Sequence, residues 1–235
     1  MYHGITEIGE VTMTGETRQI SYRSELTRKT IHLTSLLIPI LYLRVPHSTG
    51  IQILLTMAGI SLFIDVLRHY HTGTRAILER YLGAILRTHE KTTTRFTLTG
   101  ATWVLLAAVL SFSLFPTVVA VTIFTVLIVS DSFAALIGRR FPRKPFFDKS
   151  VAGTAAFIVS AWCVVTVYAL VYSLPFTYYG AGALGAIAAG IAESASVRLK
   201  ADDNIVIPLS MAIVMLVVNE LCVLLGYASF YHSIP

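Results

Sequence analysis

The sequence predicts an all-α fold: a polytopic membrane helix bundle of about seven transmembrane helices with an interfacial amphipathic helix. Three observations predict it. First, of 235 residues 55% are hydrophobic and only 13% charged, with a mean hydropathy of +0.71. A soluble domain carries roughly 25% charged residues, so polar side chains cannot cover a globular surface here and lipid must face much of it. Second, apolar runs recur at about the length that crosses a hydrocarbon core of roughly 30 Å. Third, Lys and Arg collect in alternate connections between those runs, as membrane topology requires. The net charge of +5 therefore points away from nucleic acid and toward topology and phosphate chemistry.

In chain order, residues 1–24 read as a polar N-terminal arm without the apolar core of a cleavable signal peptide, so the first span is expected to be retained. Spans are predicted over 30–43, 50–67, 98–115, 117–137, 150–174, 178–197 and 204–226. The first is short and holds His32 and Pro39, which predicts either a kink or an extension into the headgroups. Over 74–94, Ile77, Leu78, Tyr81, Leu82, Ile85 and Leu86 recur at helical spacing among polar residues, the pattern of a helix lying at the interface. Residues 25–227 thus form one transmembrane domain, followed by a short tail over 228–235. Cys163 and Cys222 sit inside apolar runs without metal-type spacing and read as packing residues.

Successive connections carry four, one, six, none, five, none and two Lys or Arg, and none follows the last span. One side of the bilayer thus collects 17 of the 18 cations. The amino terminus is expected inside and the carboxyl terminus outside.

Acids within or beside spans are costly and so become functional candidates. Asp131 interrupts a strongly apolar run and is followed by small residues. Glu193 lies at the inner end of the sixth span, where Gly182, Ala186, Gly190 and Ser194 recur every four residues and let neighbouring helices approach. Asp203 and Asn204 open the seventh span, either as a helix cap or as part of a site. Asp131, Glu193 and Asp203 fall on the inner side and together suit a hard cation such as Mg²⁺; Glu220 lies toward the outer side and is set apart. Residues 139–153 hold the densest positive patch. There Lys149, Ser150 and Gly153 open a helix as a phosphate cradle or as an anchor on acidic lipids. Glu25, Arg28, Lys29 and His32 share one helical face at the entry to the first span.

These residues resemble the CTP-dependent lipid-alcohol kinases, a family that includes dolichol kinase, phytol kinase and the yeast-type diacylglycerol kinase and is distantly akin to phosphatidate cytidylyltransferases. The motifs are E-x-x-R-K-x-x-H over 25–32, H-E-K over 89–91 with T-G-A-T over 99–102, D-S-F-A-A-L-I-G-R-R-F over 131–141, K-S-x-x-G over 149–153, and Glu193 followed by D-N-x-x-I-P over 203–208. One departure is Ser130, where the family usually has Gly. The lysine–serine loop lacks the longer cytidylyltransferase signature, which favours a kinase.

The resemblance implies transfer of the γ-phosphoryl of CTP to a polyprenol, phytol or diacylglycerol-type alcohol with Mg²⁺ as cofactor. It implies catalytic and metal roles for Asp131, Glu193 and Asp203. It assigns nucleotide and phosphate binding to Arg28, Lys29, His32, Glu90, Lys91, Arg139, Arg140, Lys149, Ser150, Gly153 and Asn204. The lipid alcohol is expected to enter sideways near 182–190. Alternatives are CTP:lipid phosphate nucleotidyl transfer and an ion- or proton-coupled transporter.

Overall fold

A computed structural model describes residues 22–82, 96–141 and 144–233. The arm over 1–21, the later part of the expected amphipathic stretch (83–94), and Glu90 and Lys91 lie outside the described residues. Among the described residues the regular structure is helical, apart from one hairpin of two two-residue strands. Backbone amides and carbonyls have no water to bind inside a bilayer, so helices that satisfy their own are what the composition demands.

The first expected span is built from two helices, α1 (Tyr22–Thr34) and α2 (Leu37–Tyr42). Pro39 has no N–H to give the carbonyl of Ser35, four residues back. That carbonyl instead takes the Ile38 N–H at 3.0 Å, and the chain breaks at Ser35 and Leu36. Helix α3 (His47–Tyr70) then crosses back, and α4 (Thr72–Leu82) covers the described part of the amphipathic stretch.

Helix α5 (Gly100–Leu114) begins later than the hydropathy suggests because Thr99 caps it, its hydroxyl accepting from the Thr102 N–H. Helix α6 (Thr117–Arg140) is the central pillar: fourteen of its 24 residues are buried. It packs on α1, α5, α7 (Val151–Val171) and α9 (Asp203–Leu224), while α8 (Phe176–Ser194) packs between α7 and α9.

Among the described residues, α3, α6, α7 and α9 are long and apolar enough to cross a membrane, and α5 is a shorter apolar helix. Large apolar side chains such as Phe63, Trp162, Leu170 and Ile213 face outward, which hydrocarbon tolerates and water does not. The protein is an all-α integral membrane helix bundle.

The expected tail gives one residue to the core. Phe230 is fully buried and stands edge-on to Tyr178, their ring centres 5.4 Å apart. The Asn219 side-chain oxygen accepts from the Phe230 N–H at 3.1 Å and from the Ser229 hydroxyl at 3.2 Å.

Candidate functional site

The charged residues meet at one end of the bundle, where α1, α7 and α9 begin and α6 and α8 finish. Between α6 and α7 the chain makes a hairpin of β1 (Pro145–Phe146) and β2 (Lys149–Ser150), paired antiparallel. The hairpin is tied to the turn after α8. The Asp148 N–H donates to the Ser194 carbonyl at 3.0 Å, and the Asp148 carboxylate takes the Arg198 backbone N–H and Nε–H, both at 3.1 Å. This clamp brings the Lys149 ammonium 2.8 Å from Glu193 Oε1 and 3.7 Å from Asp203 Oδ2. Burial alone would lower the Lys149 pKa, but Glu193, Asp203 and Asp131 together hold it well above the usual ammonium range.

The other cluster is built on α1. Lys29 is buried and ion-pairs with Asp131 on α6, and His32 Nε2 lies 3.6 Å from the same carboxylate oxygen. Glu25, one turn earlier and 1% exposed, pairs with Arg28 and lies 3.0 Å from Arg139 at the end of α6. The shared helical face read in 25–32 is real, and it is the face that clamps α1 to α6. Burial would raise the Glu25 pKa, yet Arg28, Lys29 and Arg139 hold its carboxyl below the usual range. Sequence reasoning named Glu25 in its motif but missed its part in the site. The signal was available in the two basic residues three and four positions on, Arg28 and Lys29.

Asp131, Glu193 and Asp203 are thus gathered at one end, but not into a ready-made metal cage. Among the described residues no three acids or imidazoles stand close enough to share an ion. The ammonium of Lys29 faces Asp131, and that of Lys149 faces Glu193 and Asp203. Glu193 nevertheless keeps Oε2 buried and without a hydrogen-bond donor. Mg²⁺ is usually held by one or two carboxylates together with substrate phosphates, a requirement that Glu193 and Asp203 fit.

Ser150 and Gly153 turn out to make a joint. The Ser150 hydroxyl accepts from the Gly153 N–H at 3.1 Å and lies 3.4 Å from the Gly138 carbonyl, and the Val151 N–H is taken by the Lys144 carbonyl at 2.9 Å. A Cβ on Gly153 would sit 3.0 Å from the Ala134 carbonyl and 3.2 Å from the Gly138 Cα. The two glycines let α6 and α7 touch backbone to backbone. The expected phosphate cradle is largely spent on that contact. Arg139 and Arg140 are more exposed, at the rim. Asn204 is buried, and both its backbone N–H and side-chain amide donate to Asp202 Oδ1, at 3.0 and 2.6 Å. Asp202 is the cap, which leaves Asp203 facing Lys149.

The lipid entry expected near 182–190 is closed. A Cβ on Gly182 would lie 2.5 Å from Val165, and one on Gly190 2.8 Å from Ile158; the small residues are used up in tight helix contact. Space opens elsewhere, in a cavity of about 790 Å³ bounded by α1, α2, α3 and α5. Its polar end carries Arg28, His32, Asp65, Arg68, Asp131 and Asn204. Asp65 was overlooked in the sequence although it obeys the rule applied to Asp131, an acid inside an apolar run. It is 1% exposed and staples α3 to α5, accepting from the Thr99 N–H at 2.8 Å and the Thr102 hydroxyl at 2.7 Å. The T-G-A-T motif is the other half of that staple.

No family model matches the chain, and no solved structure matches it. It is 32% identical over 188 residues to an uncharacterized protein of Rickettsia prowazekii (strain Madrid E), an alignment covering 79% of this chain and 90% of the relative. With that identity and coverage, the chain belongs to the same family as the rickettsial protein.

Proposed function

We propose that the protein is an integral membrane kinase that transfers the γ-phosphoryl group of CTP to a membrane lipid alcohol, with the nucleotide side facing the cytoplasm. One observation carries the reading: the buried Asp131 carboxylate, paired with Lys29 and 3.6 Å from His32 Nε2, lies both among the cations of the charged end and at the polar end of an apolar cavity. A water-soluble phosphate donor and a lipid hydroxyl can meet only at such a junction. Phosphoryl transfer asks mainly for positioning and charge neutralisation.

In this reading Lys149, Arg139 and Arg140 take the triphosphate, joined by Arg28 from the cavity side. The alcohol oxygen attacks the γ-phosphorus, the bond to the β–γ bridging oxygen breaks, CDP departs, and the hydroxyl proton passes to the Asp131 carboxylate. Lys29 keeps that carboxylate in place at the cavity's polar end. Mg²⁺ held by Glu193 and Asp203 would supply neutralising charge on the phosphates. The choice of cytosine rests on the motif resemblance alone.

The test is a purified-protein assay with γ-labelled CTP or ATP against a panel of lipid alcohols. Label should enter the lipid from CTP. Asp131→Asn should reduce transfer by about 100-fold or more if Asp131 takes the proton. Release of the label as pyrophosphate would establish nucleotidyl transfer instead, and undiminished activity of Asp131→Asn would remove Asp131 from the mechanism.

A further inference from the structure

The cavity has a direction and a length. Its wall follows α3 from Gly50 to Arg68, about 27 Å at 1.5 Å per residue. That is close to the whole hydrocarbon thickness of roughly 30 Å. Polar groups concentrate at the end next to Arg68 and Asp131, and beyond Ser61 the lining is almost entirely apolar, as in Leu41, Leu54 and Met57. The cavity is also open sideways. Ile31, Leu37, Leu41, Ile53, Met57 and Ile64 line it and are each at least 40% exposed. The break between α1 and α2 falls on the same wall at Ser35.

These features select among lipid alcohols. A two-tailed glycerolipid occupies one leaflet, about half of the hydrocarbon core, so its chains would end near the middle of this groove. A single chain that continues past the midplane would fill it. We infer that the groove between α1, α2, α3 and α5 binds the hydrocarbon chain of a long linear prenol, its hydroxyl at Asp131 and His32 and its tail running toward Tyr42 and Gly50. This rests on the kinase reading for what happens to the hydroxyl, but the groove itself can be tested without catalysis.

Met57 lies about 16 Å from Arg68 along α3, roughly midway. Being half-exposed, it should tolerate a larger side chain. The wild type, Met57→Trp and Ile53→Trp would be purified and incubated with farnesol, geranylgeraniol, undecaprenol or dioleoylglycerol. Retained lipid would be read by native mass spectrometry and transfer from γ-labelled CTP in parallel. Undecaprenol should be retained about tenfold better than dioleoylglycerol, equivalent to about 1.4 kcal/mol. Both tryptophan variants should lose that preference and keep farnesol. Equal retention of dioleoylglycerol, or an equal loss of farnesol and undecaprenol in both variants, would overturn the assignment. Chain-dependent retention blocked by Met57→Trp, with no transfer from CTP to any alcohol, would uphold the groove and remove the kinase reading.

Discussion

Lys149 is the residue on which the charged end turns, because it stands between two acids of which Glu193 is buried. Its removal as Lys149→Met leaves the Glu193 charge uncompensated, a loss on the order of 3 kcal/mol. Stability and transfer should therefore both fall, and Lys149→Met combined with Glu193→Gln should recover the melting temperature without recovering transfer. Recovery of both would remove Lys149 and Glu193 together from the proposed mechanism. Glu25 gives the matching test in acid. Its folded pKa is lowered by Arg28, Lys29 and Arg139 against the opposing effect of burial. Its stabilisation is thus present above the unfolded value of about 4.3 and lost as pH falls through the lower folded value. Lys149, raised in the fold, contributes fully below about pH 10.4 and loses its contribution only as pH climbs through its folded value. Melting curves of the detergent-solubilised protein should show Glu25→Gln flattening the acid limb and leaving the alkaline limb unchanged.

Helix contacts explain why some motif residues are where they are without touching substrate. The motif glycines Gly138 and Gly153 form the α6–α7 joint, and Gly153→Ala would press a methyl to within about 3 Å of backbone on α6. Overpacking of that kind costs about 1–3 kcal/mol; thermal unfolding should show it, with a matching loss for Gly138→Ala. Much of this scale was legible in the sequence. The long apolar helices, the Ser150 cap and the basic face of α1 follow local rules of length, capping and i+3 or i+4 spacing. Pro39 announced a kink, and the chain breaks about one turn before it, at Ser35 and Leu36. The Asp65 staple, the Lys149 bridge and the filling of the Gly182 and Gly190 stripe were not legible. Each depends on which helices become neighbours, and the one-dimensional pattern does not state that. The cavity is hidden for the same reason: its walls come from segments as far apart as Arg28 and Asn204.

For the molecule as a whole, the one-sided charge carries into the bundle: among the described residues, Arg28, Lys29, Arg139, Lys149 and Arg198 gather at the end where α1 enters, and Phe230 packs at the other. Which end faces the cytoplasm can be measured. With Cys163 and Cys222 replaced by Ala, an impermeant maleimide should label His232→Cys in intact cells and Arg140→Cys only after the membrane is opened. The reverse pattern would invert the orientation. Where such reporters are attached matters, because of the buried ring beneath Tyr178. Tyr178 is itself fully buried, its hydroxyl 2.7 Å from that of Thr122 on the central pillar. A junction placed at residue 227 discards Phe230 and opens a void of the kind that costs about 3–5 kcal/mol. One placed after 233 leaves it filled. A fusion that fails to accumulate at the first position and accumulates at the second would therefore be reporting on a missing keystone, and says nothing about the side of the membrane.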